Sequence, residues 1–451
     1  MSELPQGWAL ACISDLADIN PKQDFDDHLP AGFVPMSHAP TNFRDKLRFE
    51  ERKWGEIKKA YTNFKDGDVI FAKVTPCFEN GKAALVEEMP SGIAAGSSEF
   101  YVLRPSSPEV SAKYLLALVK SRGFMREGAE NMTGAVGLRR VPKKFVESYP
   151  VLVPPAAEQT RIAQKLDELL AQVDTLKARI DAIPALLKRF RQSVLAAAVS
   201  GRLTEGWGDH STAVSQASKA PLGELITEMR NGLSAKPNED GKGLPILRIS
   251  SVRAGSVDQT DIRFLECGEA DKERYSLKDG DLLFTRYNGS LELVGVCGLL
   301  RQLSHATLVY PDKLIRVRCN TDIVLPDYLE IFFSELSTRQ RVMDLVKSTS
   351  GQKGISGQDL KEIVVTYPDL TEQTEIVRRV EQLFAFADQL ENKVQSAKNR
   401  IDDLTQSILA KAFRGELVPQ DPNDEPASLL LERIKAQRAA APKAKRGRKS
   451  A

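Results

Sequence analysis

Five cysteines and four histidines are few for a chain of 451 residues. Cys12, Cys77, Cys267, Cys297 and Cys319 are odd in number and widely scattered, which excludes a disulfide framework and leaves no four-ligand metal motif. His28 and His38 are too isolated to nucleate a zinc site, so no metal is expected. Long apolar runs are missing too. None approaches the roughly 18 to 20 residues that a bilayer-crossing helix needs, and Met1 to Leu10 lacks the charge-then-apolar pattern of a secretory leader. The expected compartment is therefore the cytoplasm. Catalytic signatures are equally scarce. No Gly-x-x-x-x-Gly-Lys-Ser/Thr loop supports ATP hydrolysis, and no Asn/Asp-Pro-Pro-aromatic tetrapeptide supports amino-methyl transfer to a flipped base. A nuclease-like set from Asp369, Glu391 and Lys393 fails on geometry, because a straight helix carries Glu391 roughly 30 Å from Asp369. No catalytic residue is expected.

What is present is ordinary in bulk and unusual in arrangement. With 42% hydrophobic and 27% charged residues, the chain can build three or four structural units. Its net charge of +2 is uneven: Lys435, Arg438, Lys443, Lys445, Arg446, Arg448 and Lys449 are unopposed by any acid after residue 434, leaving the remainder net acidic. The Ala, Lys, Pro and Gly content of this tail predicts disorder. Such a tail serves either as a sequence-independent phosphate attractor, with Arg446-Gly447-Arg448 suited to a minor groove, or as a solubilising terminus.

The chain repeats at a spacing of 214 residues. Glu158-Gln159-Thr160 recurs as Glu372-Gln373-Thr374, and the register runs without a gap to Leu203 against Leu417. Apolar positions alternate steps of four and three in both copies: Ile162, Leu166, Leu169, Val173, Leu176, Ile180, Ile183, Leu187, Phe190 and Val194, then Ile376, Val380, Leu383, Ala387, Leu390, Val394, Ala397, Ile401, Leu404 and Ile408. That average step of about 3.5 keeps one seam facing a partner helix. Two such stripes in one register predict that the rods pack on each other, although heptads alone leave their relative direction open. Pro154-Pro155 precede the first rod, Pro368 and a capping Thr371 precede the second, and Gly201 and Gly415 close them. Each rod should be roughly 65 Å long, with a local kink at Pro184.

Residues 1–157 and 219–371 form two globular segments, alike in layout and different in detail. Lys65-Asp66-Gly67-Asp68 precedes an apolar strand from Val69 to Val74, and Lys278-Asp279-Gly280-Asp281 precedes one from Leu282 to Tyr287. Tyr114-Leu115 and Tyr328-Leu329 open helix-like stretches. Thr133-Gly134-Ala135-Val136-Gly137 aligns with Ser350-Gly351-Gln352-Lys353-Gly354 as a glycine-rich loop. The predicted order is segment 1–157, rod 158–203, linker 204–218, segment 219–371, rod 372–418, and a terminal helix with its basic tail over 419–451. The expected fold class is α+β, two globular segments alternating with two long helices that pair as an antiparallel coiled coil, in an approximate twofold repeat.

Arginine and lysine distinguish guanine, and asparagine and glutamine distinguish adenine, when loops or helices deliver them to a major groove. Beside glycine-rich turns, the first segment offers Lys73, Thr75, Asn80, Lys82, Arg139, Arg140 and Lys143, and the second offers Arg286, Tyr287, Asn288, Ser290, Gln352 and Lys353. Leu170, Leu186, Phe384 and Phe386 lie beside the seams and widen the apolar stripes, as candidate surfaces for partner subunits or for the globular segments themselves.

The repeat, the Pro-Pro-x-x-Glu-Gln and Pro-Asp-Leu-Thr-Glu-Gln helix starts and the run Leu186-Leu187-Lys188-Arg189-Phe190-Arg191-Gln192-Ser193-Val194-Leu195 resemble the specificity subunit of Type I restriction-modification systems. Leu404-Thr405-Gln406-Ser407-Ile408-Leu409 and Phe413-Arg414-Gly415-Glu416-Leu417 extend the resemblance over nearly the whole chain. It implies two target-recognition domains, each reading half of a bipartite double-stranded DNA site, with the paired helices as a spacer. It also implies methyltransferase subunits, two in number, that bind S-adenosylmethionine, and restriction subunits that use ATP and Mg, so that this chain holds no cofactor itself. If the rods pack antiparallel, two similar readers and two similar rods can close a ring of approximate twofold symmetry, with the readers about one DNA turn, roughly 34 Å, apart. A coiled-coil protein scaffold explains the rods equally well, but not why both ends share a framework and differ at loops. A degenerate specificity subunit shares every feature.

Overall fold

A computed structural model describes residues 4–135, 137–207, 217–238, 240–349 and 352–440. It divides into two compact units, Met1–Asp181 with Ser396–Ala451, and Ala182–Gln395. Among the described residues no helix is long and apolar enough to cross a membrane.

Both units contain the same four-stranded antiparallel sheet. In the first, the order is Ala17–Ile19, Phe100–Pro105, Val69–Ala72, Ala83–Leu85; in the second, Ile226–Asn231, Leu314–Cys319, Leu282–Thr285, Cys297–Leu299. The strands Val69–Ala72 and Leu282–Thr285 are buried throughout, which is why they read as unbroken apolar runs. The Lys-Asp-Gly-Asp turn before each has a structural purpose. Asp68 accepts the Lys65 amide (2.9 Å) and both a Nε and a Nη bond from Arg104; Asp281 accepts the Lys278 amide (2.8 Å) and the corresponding pair from Arg318. One carboxylate thus closes the turn and ties it to the neighbouring strand. Gly67 and Gly280 adopt φ of 87° and 85°, a left-handed conformation that a side chain would strain.

The rods are the helices Ala156–Val199 and Leu370–Phe413, 44 residues each. In the first unit, Ile162, Leu166 and Val173 from the start of the central rod share a core with Ile401 and Ile408 from the end of the distal rod, and Lys398 pairs with Asp181 at 2.7 Å. In the second unit, Val194 joins Ile376 and Val380, and Arg191 pairs with Asp388 (2.5 Å) and Glu391 (2.8 Å). The start of one helix meets the end of the other in each case, so the rods are antiparallel. The heptad pattern overstates closure of the seam, however: Leu176 and Leu404 are 46% and 44% exposed. The central helix continues through Pro184 without interruption. Asp369, not Thr371, caps the distal rod by accepting the Glu372 amide at 2.9 Å, and Thr371 already lies in the helix. Glu391 is held by Arg191. Gly201 and Gly415 end the rods at φ of 75° and 70°.

The repeated Glu-Gln-Thr triplet clamps each reader to its rod. Gln159 accepts the Ser111 amide (3.0 Å) and donates to the Pro154 carbonyl (3.0 Å); Gln373 accepts the Leu325 amide (2.8 Å) and donates to the Pro368 carbonyl (2.8 Å). Tyr114 and Tyr328 add matching bonds to the Leu152 and Thr366 carbonyls, both 2.8 Å. Glu158 accepts from the Trp8 indole and Glu372 from the Thr204 hydroxyl. Thr204, expected at the edge of a linker, is consequently buried; residues 208–216 of that segment lie outside the described residues.

The basic terminus is only partly as its composition predicts. Lys435 and Arg438 belong to the helix Ala427–Ala440, whose Leu430, Leu431 and Ile434 enter the first unit's core because they recur on one helical face. Arg438 donates to the Ser14 carbonyl and to Ser106, both 2.5 Å. Lys443, Lys445, Arg446, Arg448 and Lys449 lie outside the described residues.

Candidate nucleic-acid interface

In the first reader, Thr133–Ala135 and Leu138–Arg140 form an antiparallel hairpin rather than a glycine-rich loop. Its counterpart is the hairpin Lys347–Thr349 with Gln352–Gly354, to which Tyr287–Asn288 adds a third strand. The repeat register is therefore 214 here, as in the rods. The glycine alignment of 133–137 with 350–354 is displaced by three residues, because glycine spacing matched while the strand ladder did not. Val136, Ser350 and Gly351 lie outside the described residues.

The hairpins gather most of the candidate side chains. Thr75 donates its amide to the Arg139 carbonyl (3.0 Å), Val141 to the Lys73 carbonyl (2.8 Å), and Val74 bridges Arg140, placing Lys73, Thr75, Arg139 and Arg140 together, with Lys143 three residues further on. Two acids unread in the sequence hold the arginines. Glu99 takes a bidentate bond from Arg140 (2.9 and 2.7 Å), and Glu79 accepts from Arg139 at 3.3 Å. The Arg140 guanidinium keeps the Glu99 carboxyl below the usual carboxylate range. Lys73 donates to the Ser98 carbonyl (2.7 Å), and Lys143 pairs with Glu147 one helical turn away (3.0 Å). Asn80 and Lys82 have other neighbours. Asn80 lines a cavity of about 380 Å³ beside the rods, and the Lys82 ammonium is occupied by the Met36 carbonyl at 2.9 Å.

In the second reader, Tyr287 pairs with Gly354 and Asn288 with Lys353, while the Ile355 amide binds the Arg286 carbonyl (3.0 Å) and Asn288 accepts from the Ser290 amide (3.0 Å). Arg286, Tyr287, Asn288, Ser290, Gln352 and Lys353 thus share one small sheet and its adjoining turn. The Arg286 guanidinium lies 4.7 Å from the Tyr287 ring centroid. Lys347 on the outer strand, 75% exposed and paired with Asp359 at 3.0 Å, joins this surface without a sequence signal. Glu79 and Glu99 escape sequence reading because the arginines they meet lie 60 and 41 residues away.

The candidate partner surface divides. Leu170 is buried against the first reader, so it is unavailable to another subunit, and Phe384 is half-buried with Arg191 across its ring (5.9 Å). Leu186 and Phe386 are exposed, at 52% and 53%.

Two copies of one antiparallel frame, each clamped to a rod and each carrying its own side chains on a matched hairpin, define a duplicated recognition module. The family model for the Type I restriction modification DNA specificity domain matches residues 5–185 and 220–398, and the chain belongs to that family. It is 45% identical to the EcoKI specificity subunit of Escherichia coli K12 over 99% of both chains, and 33% identical to the StySPI specificity subunit of Salmonella potsdam over 100% of this chain and 99% of that one. Among solved structures, a chain from a type I R-M assembly superposes with a TM-score of 0.71 at 20% identity, covering 92% of this chain and all of that one. The HsdS subunit from Thermoanaerobacter tengcongensis gives 0.59 at 20% identity, with 92% and 98% covered. These two likenesses establish the fold.

Proposed function

We propose that each reader binds one half of a bipartite double-stranded DNA site through its hairpin surface, while the chain itself transfers no group. The observation that carries this is the pair of hairpins at the same register on the same frame with unlike side chains, Arg139-Arg140 on one and Lys353-Gly354 on the other. A shared backbone places both surfaces alike against a groove, and unlike side chains let them read different bases. Methyltransferase subunits, two of them, supply S-adenosylmethionine and dock with the help of exposed apolar positions such as Leu186 and Phe386; restriction subunits supply ATP and Mg. The complex works in the cytoplasm.

The test is to express the chain with its candidate methyltransferase and map N6-methyladenine on plasmid DNA at base resolution. A two-part motif with a fixed unread gap is expected. Absence of methylation from a stable, S-adenosylmethionine-binding complex would overturn the reading in favour of a scaffold or a degenerate subunit.

A further inference from the structure

The two hairpin surfaces present arginine in different ways. In the first reader Arg139 and Arg140 each bind a carboxylate. In the second, Arg286 pairs with no carboxylate among the described residues, and the one hydrogen bond its guanidinium makes to them is a long contact from Nη1 to the Asp312 carbonyl, 3.5 Å. Its Nε is buried without a partner. Leaving a buried donor unsatisfied is costly, so the position is held by other contacts. The backbone is pinned on both sides, Arg286 donating its amide to the Lys313 carbonyl (2.7 Å) and accepting from Ile355 (3.0 Å). The guanidinium lies over the Tyr287 ring, and that ring occupies the space a Cβ of residue 354 would need: a methyl group built on Gly354 overlaps Tyr287 Cδ1 and Cε1. Gly354 seats the ring, the ring carries the guanidinium, and a planar donor fork is fixed before any ligand arrives.

We propose that Arg286 is the specificity-determining group of the second half-site and reads a guanine there, with Tyr287 and Gly354 as its positioning residues. The proposal rests on the DNA-reading function above. A fixed guanidinium matches the paired O6 and N7 acceptors of guanine on the major-groove edge, whereas an ammonium at the same place offers no planar fork. Lys73, the corresponding residue of the first reader, also lies over a tyrosine ring, 5.4 Å from that of Tyr101, but its ammonium is engaged by the Ser98 carbonyl and offers no planar fork.

The experiment is base-resolution N6-methyladenine mapping with the full chain in complex with its methyltransferase, comparing wild type, Arg286→Lys, Tyr287→Phe and Gly354→Ala. Arg286→Lys keeps the charge, and because the Arg286 Nε is buried, its urea midpoint is compared with wild type to separate lost reading from lost folding. The variant should relax discrimination at a single guanine of one half-site by roughly tenfold or more, with the other half-site unchanged. Tyr287→Phe keeps the ring and should retain the wild-type motif, while Gly354→Ala should behave like Arg286→Lys or abolish that half-site altogether. An unaltered motif from Arg286→Lys, relaxation at an A·T pair, or a half-site without guanine would overturn the proposal and leave the DNA-reading function standing. A wild-type complex that yields no two-part motif would overturn both.

Discussion

The two readers share a frame bond for bond and differ in what is mounted on it. The first adds a second four-stranded sheet, Glu50–Lys53, Pro30–Val34, Ile93–Gly96 and Thr62–Lys65, with a separate small core around Ala31, Phe33, Trp54 and Ile57. In its place the second has, among the described residues, the ribbons Leu244–Leu247 with Ile262–Leu265 and Val252–Arg253 with Ser256–Val257, and it relies more on charge. Arg316, 1% exposed, stands at the repeat position of Val102; it pairs with Glu228 (2.7 Å) and donates to the Ser276 carbonyl (2.9 Å). Lys120 and Ser334 also share a repeat position. The Lys120 ammonium reaches the Thr41 and Gly81 carbonyls, both 2.9 Å, whereas the Ser334 hydroxyl is buried without a partner. The difference teaches that the attached cores, distinct from the core the frame shares with the rods, are free to change without disturbing how a reader is held.

Three changes would test that separation. The largest effect is expected from truncation after residue 418, which removes Leu430, Leu431 and Ile434 from the first unit's core and should cost it several kcal/mol, since each buried apolar side chain contributes about 1.5–3 kcal/mol. Limited proteolysis should then leave a fragment within residues 182–395 resistant while 1–181 is degraded; equal protection of both would show that the helix contributes little. Next, Arg316→Ala should destabilise only the second unit, by about 3 kcal/mol, because it strips a partner from a buried ion pair. Arg318 and Arg230 still hold Glu228 and moderate the loss. Calorimetry should show one shifted transition, and a uniform shift would contradict independent cores.

The smallest effect concerns pH. Burial pushes the Lys120 ammonium down to about 7, with the Asp45 charge opposing the shift. An unfolded lysine keeps its proton to about pH 10.4, so above pH 7 the unfolded chain binds more protons than the folded one and stability rises with pH. Below pH 7 both states are protonated and the cost of burying the charge is fully present. Wild type should therefore gain about 1–2 kcal/mol on Lys120→Met between pH 7 and 9, read from urea midpoints. Parallel curves would show an ammonium that the carbonyls keep charged.

The rods were legible because a 3.5-residue period is a local property, and the Glu-Gln-Thr triplet marked where they begin. Their antiparallel direction was expected from the twofold repeat and not from the heptads, and in the structure it rests on Arg191 meeting Asp388 and on Asp181 meeting Lys398. Thr371 looked like a cap by residue type, but the helix has already begun at Leu370 and Asp369, two positions earlier, does the capping. At the candidate surface, residue type picked out Lys73, Arg139, Arg286 and Lys353, which the structure gathers at the two hairpins. Residue type gave no sign that the Lys82 ammonium finds a carbonyl 46 residues away, or that Glu99 reaches Arg140 only after two strands pair.

The first unit is assembled from both ends of the polypeptide, residues 1–181 and 396–451, whereas the second is the unbroken stretch 182–395. On a ribosome the second unit has all its parts while the first still lacks Ile401, Ile408 and Leu430. The half begun earliest is thus completed last. Its apolar surfaces around Ile162 and Leu166 wait through the synthesis of more than two hundred residues, an interval in which chaperones have most to do.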